Sequence, residues 1–139
     1  MIVLKIIYLI KNMISLIIPV YNEASNLKIL SKKIILSLKK YKYEVIFIND
    51  GSVDETLPIL GNIIKNNHNF SCLNFKRNYG QTAALQAGFD YAIGNIIVAM
   101  DGDLQNDPAD IPKLLKKINE GYDVVSGWRK NRKDSSLSR

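Results

Sequence analysis

The sequence predicts an α/β domain with a mainly parallel sheet. Three observations predict it. Short apolar runs rich in Ile and Val alternate with segments of helical periodicity, in the order βαβαβαβαβ. The runs are continuously apolar rather than alternating, the pattern of strands covered on both faces. The chain has 139 residues, 47% of them hydrophobic, which suffices for one domain with a real core and not for two.

The elements follow in order. Residues 1–13 read as an apolar N-terminal extension ahead of a domain over 14–139. Lys5, Lys11 and Asn12 interrupt the extension. Its apolar runs are too short to span a bilayer, and no small-residue cleavage site follows. It is expected either to touch a membrane or to precede a true start at Met13. Ile14–Val20 reads as the first strand. Leu27, Leu30, Ile34 and Leu38 share one face of the helix that follows. Glu44–Asn49 is the second strand. Asp54 then caps a helix from Glu55 to about Asn66, with Pro58 in its first turn, where a missing N–H costs little. Ser71–Phe75 is the third strand, Thr82–Ile93 the third helix and Asn95–Met100 the fourth strand. Asp107 and Pro108 start a last helix. Its stripe of Ile111, Leu114, Leu115 and Ile118 ends at Gly121. Asp123–Ser126 is expected as a fifth strand.

Composition excludes several classes. A charged fraction of 23% beside this hydrophobic content rules out a disordered, collagenous or coiled-coil chain. The single cysteine, Cys72, leaves no disulfide framework and no cysteine-based zinc site. The net charge of +6 is unevenly spread. Residues 24–43 hold Lys28, Lys32, Lys33, Lys39, Lys40 and Lys42 and no acid, whereas Asp101, Asp103, Asp107 and Asp110 gather elsewhere. The lysines read as a solvated helix face. No aromatic residues interleave with the charge in the manner of nucleic-acid readers, so nucleic acid is not an expected partner.

In a parallel sheet, ligands bind outside the carboxyl ends of the strands. The strand exits are therefore the segments to inspect. The fourth exit, Met100-Asp101-Gly102-Asp103-Leu104-Gln105, delivers two carboxylates spaced i, i+2. Hard divalent cations such as Mg²⁺ or Mn²⁺ use one or two carboxylates together with substrate phosphates, and Asp103 and Gln105 are the candidate ligands. Turn formation by Asp explains the same letters equally well. An EF-hand is excluded, since its sixth and twelfth positions would be Asn106 and Pro112. No P-loop and no dinucleotide fingerprint is present.

At the first exit, Tyr21 offers a flat ring to a base and Glu23 an acceptor for ribose hydroxyls. At the second, Asp50 is placed to accept from a base. Arg77-Asn78-Tyr79-Gly80-Gln81 precedes a helix N-terminus, a natural anion site. After the expected last strand comes Gly127-Trp128-Arg129-Lys130-Asn131-Arg132-Lys133, where Arg suits phosphate oxygens.

Taken together, P-V-Y-N-E, N-D-G-S, R-N-Y-G-Q, M-D-G-D-L-Q and S-G-W-R-K-N-R-K-D resemble the family 2 glycosyltransferases. The nearest branch is that of the polyprenyl-phosphate enzymes, which includes dolichol-phosphate mannose synthases. The likeness runs from about Ile14 to Arg139. The family often has D-D-G-S where this chain has Asn49-Asp50-Gly51-Ser52.

The resemblance implies a Rossmann-like GT-A fold. It implies that Pro19, Tyr21, Glu23, Ile48 and Asp50 hold the nucleoside of a nucleotide sugar. Asp101, Gly102, Asp103 and Gln105 would bind a Mg²⁺ or Mn²⁺ ion and the sugar diphosphate. Arg129 would contact the diphosphate, with Arg132 a weaker candidate. The catalytic set would then be Asp101, Asp103 and Arg129, and Asp103 with Gln105 would carry the metal. The implied reaction transfers a sugar to an undecaprenyl or dolichyl phosphate with inversion, at the cytoplasmic face of a membrane. Family members are longer, so the C-terminal acceptor part is expected to be lacking or supplied by a partner segment. A non-catalytic nucleotide-sugar-binding remnant, half of a split enzyme, and a sugar nucleotidyltransferase are the alternatives.

Overall fold

A computed structural model describes residues 13–127. Within them the elements are β1 (Met13–Val20), α1 (Leu27–Leu38), β2 (Lys42–Asn49), α2 (Thr56–Lys65), β3 (Phe70–Asn74), α3 (Gln81–Tyr91), β4 (Ile96–Ala99), a 3₁₀ turn (Pro108–Asp110) and α4 (Ile111–Asn119). The four strands form one sheet in the order β3-β2-β1-β4. All three pairings are parallel.

Why these segments form these elements follows from burial. Along β1, Ile14, Leu16, Ile18 and Val20 enter one core cluster and Ile17 enters the other. Both faces of the strand are therefore covered, and an unbroken apolar run is the outcome. The larger cluster joins Leu27, Leu30, Ile34 and Leu38 of α1 to Leu60 of α2, Phe47 and Phe70 of the sheet, and Ile111 and Leu115 of α4. The smaller cluster lies on the opposite face, where Ala84 of α3 meets Ile17, Ile46 and Ile48.

Pro19 sits inside β1 without disrupting it. Pairing with β4 ends at Ile17, so the missing N–H of Pro19 falls where no ladder partner exists. The two expected capping aspartates hold the turns that lead into helices. Asp54 Oδ1 accepts from the Thr56 N–H at 2.9 Å, and Asp107 Oδ1 accepts from the Ala109 N–H at 3.1 Å.

Two expectations on the elements need correction. The last helix does not begin at Pro108. A 3₁₀ turn intervenes, and the α-helix starts at Ile111. Asp123–Ser126 is not a strand. Val124 is 85% exposed, and the segment pairs with no strand among the described residues. Apolar letters alone do not make a strand; a neighbour must take up its hydrogen bonds.

Candidate functional site

The strand order reverses between β1 and β4. β1 leads to β2 on one side, and the chain returns through α3 to place β4 on the other. This is the topological switch point, where loops leaving adjacent strands diverge and open a crevice. A cleft of about 280 Å³ lies there. The β1 exit lines it with Pro19, Val20, Tyr21 and Glu23, and the β2 exit with Asp50. The approach to α3 adds Asn78, Gly80 and Gln81, and the β4 exit adds Asp101, Gly102 and Asp103.

Each loop is held by identifiable contacts. Asn22 adopts a left-handed backbone (φ 55°), which Asn tolerates better than most residues. Its N–H donates to Ser52 Oγ and its Oδ1 accepts from the Val53 N–H, both at 2.9 Å. The Glu23 N–H donates to Thr56 Oγ1 at 2.9 Å. The first two strand exits are thereby sewn together. Tyr21, 46% exposed, stands at the rim with its ring available. Glu23 Oε2 accepts from Asn26 Nδ2 at 2.6 Å.

Asp50 is nearly buried, and both its oxygens are engaged. Oδ1 accepts from the Tyr79 N–H at 2.7 Å and Oδ2 from the Gly80 N–H at 2.9 Å. Its carboxylate therefore anchors the wall formed by Asn78 and Gly80. Gly51 makes this approach possible. Its φ is +71°, and a Cβ there would lie 2.3 Å from the Arg77 carbonyl carbon. On the outside of the same loop, the Arg77 guanidinium sits 4.9 Å from the Tyr79 ring centroid, and Tyr79 meets Phe75 edge-on at 5.6 Å.

Asn49 answers to a different demand. It is buried, its Nδ2 donates to Asn74 Oδ1 at 2.7 Å, and its Oδ1 accepts from the Ser52 N–H at 3.2 Å. A carboxylate could not donate to Asn74. At this position, where the family often has Asp, the amide thus serves a donor and an acceptor role at once.

The β4 exit presents both carboxylates to the cleft. Gln81 Nε2 donates to Asp101 Oδ1 at 2.9 Å, and Asp103 Oδ1 accepts from the Gln105 N–H at 3.0 Å. Between these, Gly102 lies against β1, where a Cβ would approach Val20 Cγ1 to 2.7 Å. Leu104 has a positive φ of 64°, a conformation that branched residues seldom hold and that is often found at ligand sites.

Not every expected residue reaches the cleft. Ile48 is fully buried, and its side chain packs under α3 in the smaller core cluster. It lies two residues short of the strand exit, on the face that α3 covers, so the expected nucleoside contact is not made by that side chain. The Gln105 side chain is exposed and outside the cleft lining, although its N–H supports Asp103. Arg129 and Arg132 lie outside the described residues. Asn78, Gly80 and Gln81 line the cleft beyond the expected set. Their signal in the sequence was the run Arg77–Gln81 just ahead of a helix.

Among the described residues, no group of three or more His, Cys, Asp or Glu side chains could hold a metal ion. Asp101 and Asp103 nonetheless form an all-oxygen pair on one wall of a cleft. That suits an ion of the Mg²⁺ or Mn²⁺ type, which keeps few protein ligands and takes the rest from phosphates and water. No helix among the described residues is long and apolar enough to cross a membrane.

Residues 15–139 match the family model described as "Glycosyl transferase family 2". The chain belongs to glycosyl transferase family 2. It is 43% identical over 128 residues to the undecaprenyl-phosphate 4-deoxy-4-formamido-L-arabinose transferase of Proteus mirabilis, covering 89% of this chain and 39% of that protein. It is 42% identical over 121 residues to an uncharacterized glycosyltransferase of Synechocystis, covering 86% of this chain and 38% of that one. It therefore spans about two fifths of the length of these curated relatives.

Among solved structures, the mannosyltransferase PcManGT of Pyrobaculum calidifontis, in complex with GDP-Man and Mn²⁺, aligns with a TM-score of 0.68 and 22% identity, covering 76% of this chain and 32% of that one. S. aureus TarS 1–349 in complex with UDP-GlcNAc aligns with a TM-score of 0.64 and 22% identity, covering 78% of this chain and 31% of that one. The expected GT-A fold is thus the one found.

Proposed function

We propose that residues 14–139 are the donor-binding domain of a glycosyltransferase. It takes a sugar from a nucleotide-diphosphate sugar and delivers it, with inversion, to a polyprenyl phosphate such as undecaprenyl or dolichyl phosphate. The observation that carries this reading is the meeting of Asp101 and Asp103 with Tyr21, Glu23 and Asp50 around one cleft at the β1/β4 switch point. Likeness to the Proteus mirabilis transferase supports the acceptor class. The reaction takes place at the cytoplasmic face of a membrane, and the expected extension over residues 1–13 shortens by Met13, which belongs to β1.

In this reading Tyr21 stacks on the base at the rim and Glu23 accepts from the ribose. Asp101 and Asp103 would hold Mg²⁺ or Mn²⁺ with the diphosphate oxygens as remaining ligands. When bound, the ion supplies positive charge beside the diphosphate. By the family resemblance, Arg129 would contact the same diphosphate. The bond from the anomeric carbon to the diphosphate oxygen breaks and its electron pair leaves with the nucleotide. An acceptor phosphate oxygen forms the new bond on the opposite face. Charge grows on the leaving group only as that bond breaks, so groups aimed at it lower the barrier. An acceptor phosphate is already anionic near neutral pH and needs no strong base. That suits a cleft where Asp50, Glu23 and Asp101 already accept hydrogen bonds from the protein.

Calorimetric titration with UDP- and GDP-sugars, with Mn²⁺ or with chelator, tests the proposal. Binding is expected only with the ion and is expected to disappear in Asp103→Ala. Binding indifferent to both chelator and mutation rejects the metal role. No binding of any nucleotide sugar rejects the function.

A second reading has its own observation. Ile97 of the edge strand β4 is 42% exposed, and Ile93, just ahead of the same strand, is 68% exposed. A further polypeptide segment that covers them would make this chain one part of a split or longer enzyme. Product formation from undecaprenyl phosphate by this chain alone would reject that reading.

A further inference from the structure

The cleft leaves one prominent surface unused, the outer face of α1. Its inner face is spent on Leu27, Leu30, Ile34 and Leu38, all fully buried. With 3.6 residues per turn, the opposite line of the helix runs through Ile29, Lys32 and Leu36, with Lys28 beside it and Lys39 and Lys40 exposed in the turn that follows. Ile29 is 51% and Leu36 68% exposed. No acid occurs between residues 24 and 43. Lys33 alone finds a partner, Asp107 at 3.4 Å. Among the described residues, Lys28, Lys32, Lys39, Lys40 and Lys42 have no ion pair.

A helix face meant only for water carries both signs of charge and few aliphatic side chains. This one carries lysines of a single sign around two exposed branched aliphatics. We infer that the α1 face docks on an anionic lipid surface, with Ile29 and Leu36 entering the headgroup boundary and the lysines pairing with lipid phosphates. Basic charge and apolar insertion together make reversible membrane contact, each too weak alone. Lysine stems extend along the apolar boundary while their ammonium groups stay wet.

The orientation has a consequence for the cleft. The N-terminal end of α1 abuts the cleft rim, where Asn26 bonds Glu23. A helix lying flat on the bilayer brings that rim beside the headgroups, within reach of a lipid-borne phosphate. This corollary rests on the proposed function; the docking itself does not.

Sedimentation of the full chain with vesicles tests the inference. Phosphatidylcholine vesicles containing phosphatidylglycerol are compared with pure phosphatidylcholine. Binding is expected only to the anionic vesicles and is expected to weaken with salt. Each surface lysine removed lowers the partition about fivefold, so Lys32→Gln with Lys40→Gln lowers it roughly twenty-five-fold. Leu36→Ser is expected to weaken binding as well, and its exposure means that folding is unaffected. The control pair Lys65→Gln with Lys76→Gln removes the same charge elsewhere and is expected to change little.

Equal loss from both pairs overturns the inference, because attraction would then be diffuse. So does binding that ignores the lysine pair and salt, which would belong to the apolar residues 1–12. Binding to nucleic acid without vesicle binding also overturns it. Nucleotide-sugar titration of the unmodified chain, set beside its vesicle binding, separates the two proposals. Nucleotide binding without vesicle binding refutes only the docking face. Vesicle binding without nucleotide binding refutes only the function.

Discussion

Asp50→Asn isolates the contact on which the cleft wall depends. The carboxylate accepts two backbone N–H groups, from Tyr79 at 2.7 Å and Gly80 at 2.9 Å, and is 4% exposed. Hydrogen bonds to a charged acceptor contribute about 1.5–3 kcal/mol each, and a donor left unpaired out of water costs about 1–3 kcal/mol. Asparagine keeps one acceptor oxygen and turns an NH₂ group toward the other N–H. One bond is lost and one donor faces a donor, a loss of about 2–4 kcal/mol. Size hardly changes, so packing does not confuse the result.

Hydrogen exchange of the Tyr79 and Gly80 amides reads the effect directly. At about 1.36 kcal/mol per tenfold, they should exchange roughly thirtyfold to a thousandfold faster. Urea denaturation reads the global share. Nucleotide-sugar affinity should fall as well, because Asn78 and Gly80 lose their support. If the two amides exchange within about threefold of their original rates, Asp50 does not hold the wall, and the assignment of its role is wrong.

Two further outcomes follow from other contacts. Gly102→Ala brings a Cβ to 2.7 Å from Val20 Cγ1, and overpacking of this kind costs about 1–3 kcal/mol in urea denaturation. Stability should also fall in acid through two capping aspartates. The Thr56 hydroxyl hydrogen bond, opposed by desolvation, holds Asp54 below the ordinary 3.8, and the Ala109 N–H does the same for Asp107. A folded-state pKa below the unfolded one stabilises above the unfolded value, and the contribution is lost as pH falls through the folded value. Asp107→Asn should therefore lose less stability than the unmodified chain as pH is lowered from neutral to below 3.8. An equal loss in both would show that this cap does not titrate with folding.

Much of the fold was legible because its signals are local. Apolar runs rich in Ile and Val mark strands, and β1, β2 and β4 lie where such runs occur, whereas β3, Phe70–Asn74, holds no β-branched residue. Asp54 and Asp107 cap helix starts because the geometry of a short side chain against the next N–H groups needs no distant partner. The convergence of strand exits at one edge follows from parallel pairing alone, so Tyr21, Glu23, Asp50, Asp101 and Asp103 could be nominated together from spacing and residue chemistry.

What spacing could not decide depended on contacts far apart in the chain. Asp123–Ser126 has strand-like letters but pairs with no strand among the described residues, and pairing is not a property of the segment itself. Ile48 sits one turn of the pleat from Asp50 in sequence, yet it points into the core, because α3 crosses that face of the sheet. Asp50 was nominated to receive a base. Its two oxygens instead meet N–H groups 29 and 30 residues away. Asn49 is explained by Asn74 on the neighbouring strand, 25 residues on. Local periodicity is written in each segment and survives in the linear chain. Register, strand order and the partners of buried polar atoms exist only once the sheet has closed, because they are relations between segments.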